Sequence, residues 1–169
     1  GVSPDVLVCR TEYSLNEGIR KKLALFCNVT QDAIIESIDA ETIYDVPNLM
    51  LEEGLDKVVL KKLGLKAQKS PKLDQWNEFL RKFKNPKASV QIGLVGKYVE
   101  LQDAYKSIIE ALGHAGAQNE TKVNIKFIHS EDLVPSEVPD LLKGLNGVLV
   151  APGFGDRGTE GKIEAIRYV

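Results

Sequence analysis

The sequence has little that would commit it to a membrane, to nucleic acid or to an oxidising compartment. No apolar run approaches the ~20 residues needed to cross a bilayer, and no signal peptide opens the chain. A formal net charge of −2 over 169 residues leaves no excess of cations to follow a phosphate backbone, and the lysines are interleaved with acids. Cysteine is scarce: Cys9 and Cys27 both sit in apolar sequence and read as reduced core residues of a cytosolic, cytoplasmic protein rather than as a disulfide. No Walker A lysine loop, HExxH, CxxC or GxSxG occurs, and there is no internal repeat or low-complexity segment. What remains, 43% hydrophobic and 27% charged, is ordinary soluble globular composition, enough for one full domain or pieces of two. The chain opens at Gly1 in the run-up to a strand and stops at Val169 inside a helix, so it reads as cut at both ends.

The most informative stretch is Asn146 to Lys162, NGVLVAPGFGDRGTEGK. Val148 to Val150 reads as a buried strand. Ala151 to Gly158 then carries three glycines and a proline, which forbid regular structure. Thr159 is the expected cap of a helix with Ile163 and Ile166 on one face. In a strand–glycine loop–helix unit, backbone N–H groups point into the crevice beyond the strand's carboxyl end. There they stabilise negative charge, a phosphate or the oxyanion of acyl transfer. An ordinary tight turn would have the same glycine content.

The rest alternates strand and helix. Asp5 to Arg10 is a β-branched run suited to a parallel strand. Ser14 and Glu17 form a capping box for a helix with Leu15, Ile19, Leu23 and Phe26 on its apolar face and Arg20, Lys21 and Lys22 opposite. A strand over Ala33 to Ile38 ends at Asp39, which can cap the next turn. Pro47 and Gly54 bound one helix, and Lys57 to Leu63 is another, ended by Gly64. Lys66 to Lys69 is polar. Ser70-Pro71 begins an amphipathic helix with Leu73, Trp76, Leu80 and Phe83 on one side, which reads as a linker lying across two domains. Val90 to Gly96 starts a fresh strand. Asp103 caps a helix through Tyr105, Ile108, Ile109 and Leu112, stopped by Gly116. Val123, Ile125 and Phe127 alternate as in a strand exposed on one face, and Ser136 to Leu142 is a short helix. This βαβαβ-loop-α order implies an α/β doubly wound parallel sheet with right-handed crossovers.

Three places can carry chemistry. Arg10 lies at a strand's carboxyl end with Lys22 a helix away, an arrangement that suits a phosphate or nucleotide, or equally plain surface charge. Gly96-Lys97-Tyr98 ends another strand but lacks phosphate-loop glycine spacing. The third is the glycine loop. His114 and His129 have no cysteine or serine partner that the sequence can place, and read as structural. The residues thus yield a nucleotide-like half-site joined to an oxyanion-like half-site, without a reaction.

The segments PDVLVCR, KLALFCNV, IYDVPNLML, GLVGKYVELQDAYKSIIEAL and GVLVAPGFGDRGTEGKIEAIRYV, in order over nearly the whole chain, resemble the CTP synthase family. The resemblance implies two partial doubly wound parallel-sheet domains. Residues 1–66 would be the end of a P-loop NTPase-like amidoligase, 67–87 a helical linker, and 88–169 the first half of a class I glutamine amidotransferase. The implied reaction converts UTP to CTP: ATP phosphorylates the uracil 4-oxygen and ammonia from glutamine displaces the phosphate. Mg²⁺ serves the ATP, GTP is the allosteric activator of the glutaminase and CTP the feedback inhibitor. A homotetramer able to form filaments is implied, with no nucleic-acid or membrane partner.

Residue by residue, Arg10 matches the arginine that packs on the ATP adenine, and Ile38, Asp39 and Ala40 the adenine-contacting segment. Lys22 and Phe26 match the UTP and CTP site, although the spacing of Phe26 equally suits a core residue. Gly153 matches the glycine whose N–H helps form the oxyanion hole. Phe154, Arg157, Gly158 and Glu160 match the loop linked to GTP activation, where a guanine could stack on Phe154. Lys97, Tyr98 and Lys106 match positions lining the interdomain ammonia route or placing GTP. One departure is Ala151-Pro152-Gly153, where the family has Pro-Gly-Gly, which could restrict the loop. The resemblance would place the family's phosphate-binding loop and magnesium carboxylates before Gly1 and its nucleophilic cysteine soon after Val169; neither Cys9 nor Cys27 sits in a strand-to-helix elbow. No metal ligand is therefore expected in this chain, and alone it should be inactive. Two other readings are the glutaminase portion of a different amide-forming synthetase, and a non-catalytic nucleotide-binding relative.

Overall fold

A computed structural model describes residues 2–66 and 70–169, so the polar stretch expected at 66–69 lies mostly outside the described residues. The chain divides into two units, 1–73 and 74–169.

In the first unit, β1 (Leu7–Thr11) and β2 (Ile34–Ile38) pair in parallel, with Arg10 beside Ser37. The crossover between them is helix α1 (Glu17–Cys27). Asn16, not Ser14, caps α1: its side chain accepts the Ile19 N–H at 2.9 Å. The expected apolar face is also displaced. Ile19 and Phe26 are exposed, Ala24 is buried, and Arg20 points inward. Its guanidinium donates to the Ile34 carbonyl at 2.6 Å, to the carboxylate of Glu36 and to that of Glu53 at 3.2 Å. The cause lies in β2, whose buried run includes Glu36. A carboxylate held in a low-dielectric setting needs a cation, and Arg20 is the residue of α1 that supplies it. On the other side of β2, Ala33, Ile35 and Val58 form a core with Val6, Val29, Met50 and Leu55. This core is covered by α2 (Val46–Glu52), which has Pro47 in its first turn, and α3 (Leu55–Lys62). Gly54 and Gly64 adopt left-handed φ at the helix ends. Cys9 and Cys27 are half-buried free thiols.

The second unit opens with α4 (Asp74–Lys84), three residues later than Ser70-Pro71 suggests. It begins inside the expected 67–87 linker and packs on the following helix of its own unit, α5 (Lys106–Gln118). Phe79 of α4 meets His114 of α5 edge to face at 5.7 Å. The sheet is parallel, with β3 (Ala88–Gly96) between β4 (Thr121–His129) and β5 (Gly147–Val150). β3 is apolar and buried at Leu94 and Val95, each contributing about 1.5–3 kcal/mol. Leu94, with Leu149, Ile125 and Phe127, faces Ile108 and Ile109 of α5. Val95, with Ile128 and Val148, faces Leu142 of α6 (Val138–Leu142) and Ala165 of α7 (Thr159–Tyr168). Helices on both faces make the sheet doubly wound.

Four sequence expectations give way here. Asp103 makes no cap; it lies in a 3₁₀ turn (Gln102–Tyr105) that runs into α5. Gly116 does not stop α5 but lets it approach β4, since a Cβ there would lie 2.5 Å from the Thr121 carbonyl. In α7 the buried positions are Gly161 and Ala165, while Ile166 is exposed. Gly158, in left-handed conformation, is the N-cap, and Thr159 donates to the Gly155 carbonyl at 3.5 Å instead of capping.

Candidate functional site

In the second unit α5 leaves β3 over one face of the sheet and α7 leaves β5 over the other. Between two such neighbouring strands a crevice opens beyond their carboxyl ends, where α/β sheets place ligands. Lys97 follows β3 into this position, and Ala151 to Gly158 follows β5. β5 hands over to the loop through a hydrogen bond from the Ala151 N–H to the Val95 carbonyl at 2.8 Å.

Lys97 is 4% exposed. Its ammonium donates to the carbonyls of Phe154 at 2.7 Å and Gly155 at 3.1 Å. From the first turn of α7, Lys162 donates to the Ala151 carbonyl at 2.9 Å. The loop's carbonyls therefore turn toward lysines, while among the described residues no acceptor takes the N–H of Gly153, Phe154 or Gly155. Burial, and then the neighbouring Lys97 charge, push the Lys162 pKa below its ordinary value. Neither Ala151 nor Pro152 adopts positive φ; the loop's left-handed positions are Gly155 and Gly158. Ala151 is itself a core residue beside Leu94 and Tyr105.

Around the loop, Phe154 is fully exposed. Arg157 pairs with Glu131 and lies with its guanidinium carbon 6.0 Å from the Tyr98 ring centroid, a cation–π distance. Gly158 closes over Ser130, whose buried hydroxyl has no hydrogen-bond partner and would overlap any side chain placed there. Glu160 is exposed on α7. Lys106 pairs with Glu110 at 2.9 Å, and that hydrogen bond raises its pKa. His129 accepts the Glu131 N–H at 3.3 Å through Nδ1.

In the first unit the structure brings Arg10 and Asp39 together as an exposed ion pair across the ends of β1 and β2. Arg10 also donates to the Ser37 carbonyl at 3.2 Å, so it stands at the carboxyl edge beside Ile38, Asp39 and Ala40. Lys22 is exposed on α1. Phe26, in the last turn of that helix, is 84% exposed and so not a core residue. Among the described residues no group of three or more His, Cys, Asp or Glu could hold a metal ion, and no helix is long and apolar enough to cross a membrane.

Sequence reasoning missed Lys162, Tyr105 and Ser130 as parts of the loop's support.

The sequence profile of the CTP synthase N-terminus matches residues 1–65, and that of the class-I glutamine amidotransferases matches residues 100–169. The CTP synthase of Flavobacterium psychrophilum is 69% identical over 99% of this chain, and that of Christiangramia forsetii 63% over 99%; each comparison covers 31% of the relative. The chain thus spans about a third of the length of the curated relatives it matches. A solved Trypanosoma brucei CTPS glutaminase domain with bound acivicin is 33% identical, covering 46% of this chain and 31% of that one at a TM-score of 0.43.

Proposed function

The chain belongs to the CTP synthase family, and from that premise we propose that it supplies two half-sites to the ATP-dependent amination of UTP to CTP with ammonia from glutamine. The observation that carries this reading is the glycine loop, which offers backbone N–H groups at a sheet's carboxyl edge while its carbonyls are tied down. When bound, ATP provides the phosphoryl group that turns the uracil 4-oxygen into a leaving group.

In the first unit, the Arg10 guanidinium packs on the adenine and the Ile38–Ala40 backbone borders it, with Asp39 holding Arg10 at the strand edge. The guanidinium suits such a group because it is planar, always charged and exposed there. The Lys22 ammonium counters the triphosphate of UTP. Phe26 offers an uncovered ring to the pyrimidine of UTP or of inhibitory CTP. Mg²⁺ would accompany the ATP and neutralise charge on its phosphates.

In the second unit, the Gly153 N–H stabilises the oxyanion formed as glutamine is attacked. Phe154 stacks the guanine of the activator GTP, while Arg157, Gly158, Glu160 and Tyr98 shape the surface around it. Lys106 borders the same region or the ammonia route. The assembled enzyme is a cytoplasmic homotetramer able to stack into filaments.

The test is CTP formation from UTP and Mg-ATP, first with ammonium and then with glutamine plus GTP. It uses a protein that carries this segment within the full length of the relatives. Activity with both supports the reading. Activity with ammonium alone removes the glutaminase role, and activity with neither favours a non-catalytic relative.

A further inference from the structure

The two lysines beneath the glycine loop have no carboxylate partner among the described residues. A partly buried ammonium without a counter-ion is unfavourable, and two side by side are more so. Their proximity is felt at Lys162, which burial and Lys97 together make easier to deprotonate. Two cations side by side beneath a loop whose Gly153, Phe154 and Gly155 N–H groups have no acceptor among the described residues make a positive site, one suited to negative charge that arrives with a ligand or forms during a reaction.

The covalent geometry says what the lysines hold. Across a trans peptide the C=O and N–H point in opposite directions. Tying the Phe154 and Gly155 carbonyls to Lys97 therefore aims the Gly155 and Asp156 N–H groups away from it. Tying the Ala151 carbonyl to Lys162 fixes the Ala151–Pro152 peptide. The proline ring fixes the next φ, so only ψ of Pro152 still turns between that anchor and the Gly153 N–H. Both lysines run directly beneath Gly153, where a Cβ would lie 3.3 Å from Lys162 Nζ and 3.7 Å from Lys97 Cδ.

We propose that Lys97 and Lys162 are positioning residues of the oxyanion loop, holding its carbonyls inward and lending positive potential to the Gly153 N–H as negative charge develops. This rests on the glutaminase reading above. It makes Lys97 part of the loop's support rather than a residue lining a passage.

The test uses Lys97→Met and Lys162→Met in a protein carrying this segment within the relatives' full length. The ammonia-driven rate is the reference, because it bypasses glutamine hydrolysis. Removing an oxyanion donor typically costs about 10²–10³ in kcat; loss of one positioning lysine is expected to lower glutamine-driven kcat about tenfold or more, with KM for glutamine within about threefold. Lys97→Arg, which keeps the charge, should recover part of the loss. A change in KM alone, or an unchanged ratio of glutamine-driven to ammonia-driven rates, would overturn the proposal. An activity-free arm separates it from the functional reading: the Lys162 ammonium is titrated by NMR after isotopic dimethylation. Lys97→Met should move that titration upward, toward the ordinary lysine value. No movement would overturn the paired-lysine geometry even in an active enzyme. Movement in a protein that does not use glutamine would leave the geometry standing and sink the functional reading instead.

Discussion

The hydroxyl of Tyr105 occupies the space a side chain on Gly96 would need, and from there it accepts the backbone N–H of Lys97 at 2.9 Å. The last residue of β3 is thus a glycine so that a phenol can reach the first residue beyond the strand. Tyr105→Phe keeps the ring but leaves a buried N–H without its acceptor, which costs about 1–3 kcal/mol. Denaturant unfolding should show that loss, and a change under ~0.5 kcal/mol would mean that the hydrogen bond contributes nothing to stability. Gly96→Ala should be worse, because the phenol itself must move.

Arg20 and Lys22 share a helix and have opposite jobs. Arg20→Met strands the Glu36 carboxylate, 9% exposed, and breaking such a pair from one side costs about 3 kcal/mol. Lys22→Ala, at an exposed position, should stay within ~0.5 kcal/mol. In a full-length protein the same substitution should impair CTP formation from ammonia as well as from glutamine. Normal ammonia-driven turnover would remove Lys22 from the proposed UTP site.

Two glycines of α5 should answer alanine in opposite ways. At Gly113 a Cβ meets only Phe83, at 3.6 Å, so Gly113→Ala should stabilise by up to about 1 kcal/mol through helix propensity. At Gly116 the Cβ would press on the Thr121 backbone carbonyl. Gly116→Ala should therefore destabilise despite the same gain in propensity. Thermal unfolding of the two variants ranks them, and the reverse order would refute the packing account of Gly116.

The Cys9 thiol is held above its ordinary pKa of 9.0, first by burial and then by Cys27 and Glu36, with Arg20 opposing. Raising a thiol pKa reduces the thiolate at any pH below it, and the thiolate is the nucleophile. Alkylation of Cys9 by iodoacetamide at pH 8 should be slower than that of free cysteine, and its rate should keep climbing above pH 9. A midpoint at or below that of the free amino acid, read by site-resolved mass spectrometry, would contradict the burial.

Strand identity is legible where apolar β-branched runs are bounded by turn residues, Gly96 after Val90–Val95 and Pro152-Gly153 shortly after Val148–Val150. The faces of helices were less legible. Periodicity marked Ile19 and Phe26 of α1 as inward, whereas Glu36 of β2 drew Arg20 in and turned the helix; that charge pairing is tertiary and has no local signature. Capping failed at Ser14, Asp103 and Thr159 for a related reason: a neighbouring residue or a 3₁₀ turn started the helix first. At the site, the glycine loop could be read from its composition, and its lysine supports could not, since they join residues 57 and 11 positions apart.

That separation also bears on how the second unit comes together in time. β3 is its first strand in sequence and its middle strand in space. The Gln91 N–H meets the Asn146 side chain, 55 residues further along. A chain emerging from the ribosome makes β3 early, gains one flank with β4 and obtains the other only when β5 appears. Until then Leu94 and Val95 lack part of their cover, and the long loop must close, at a cost in chain entropy, before it is complete. The strand that carries Lys97 to the site is thus made first in this unit and finished last.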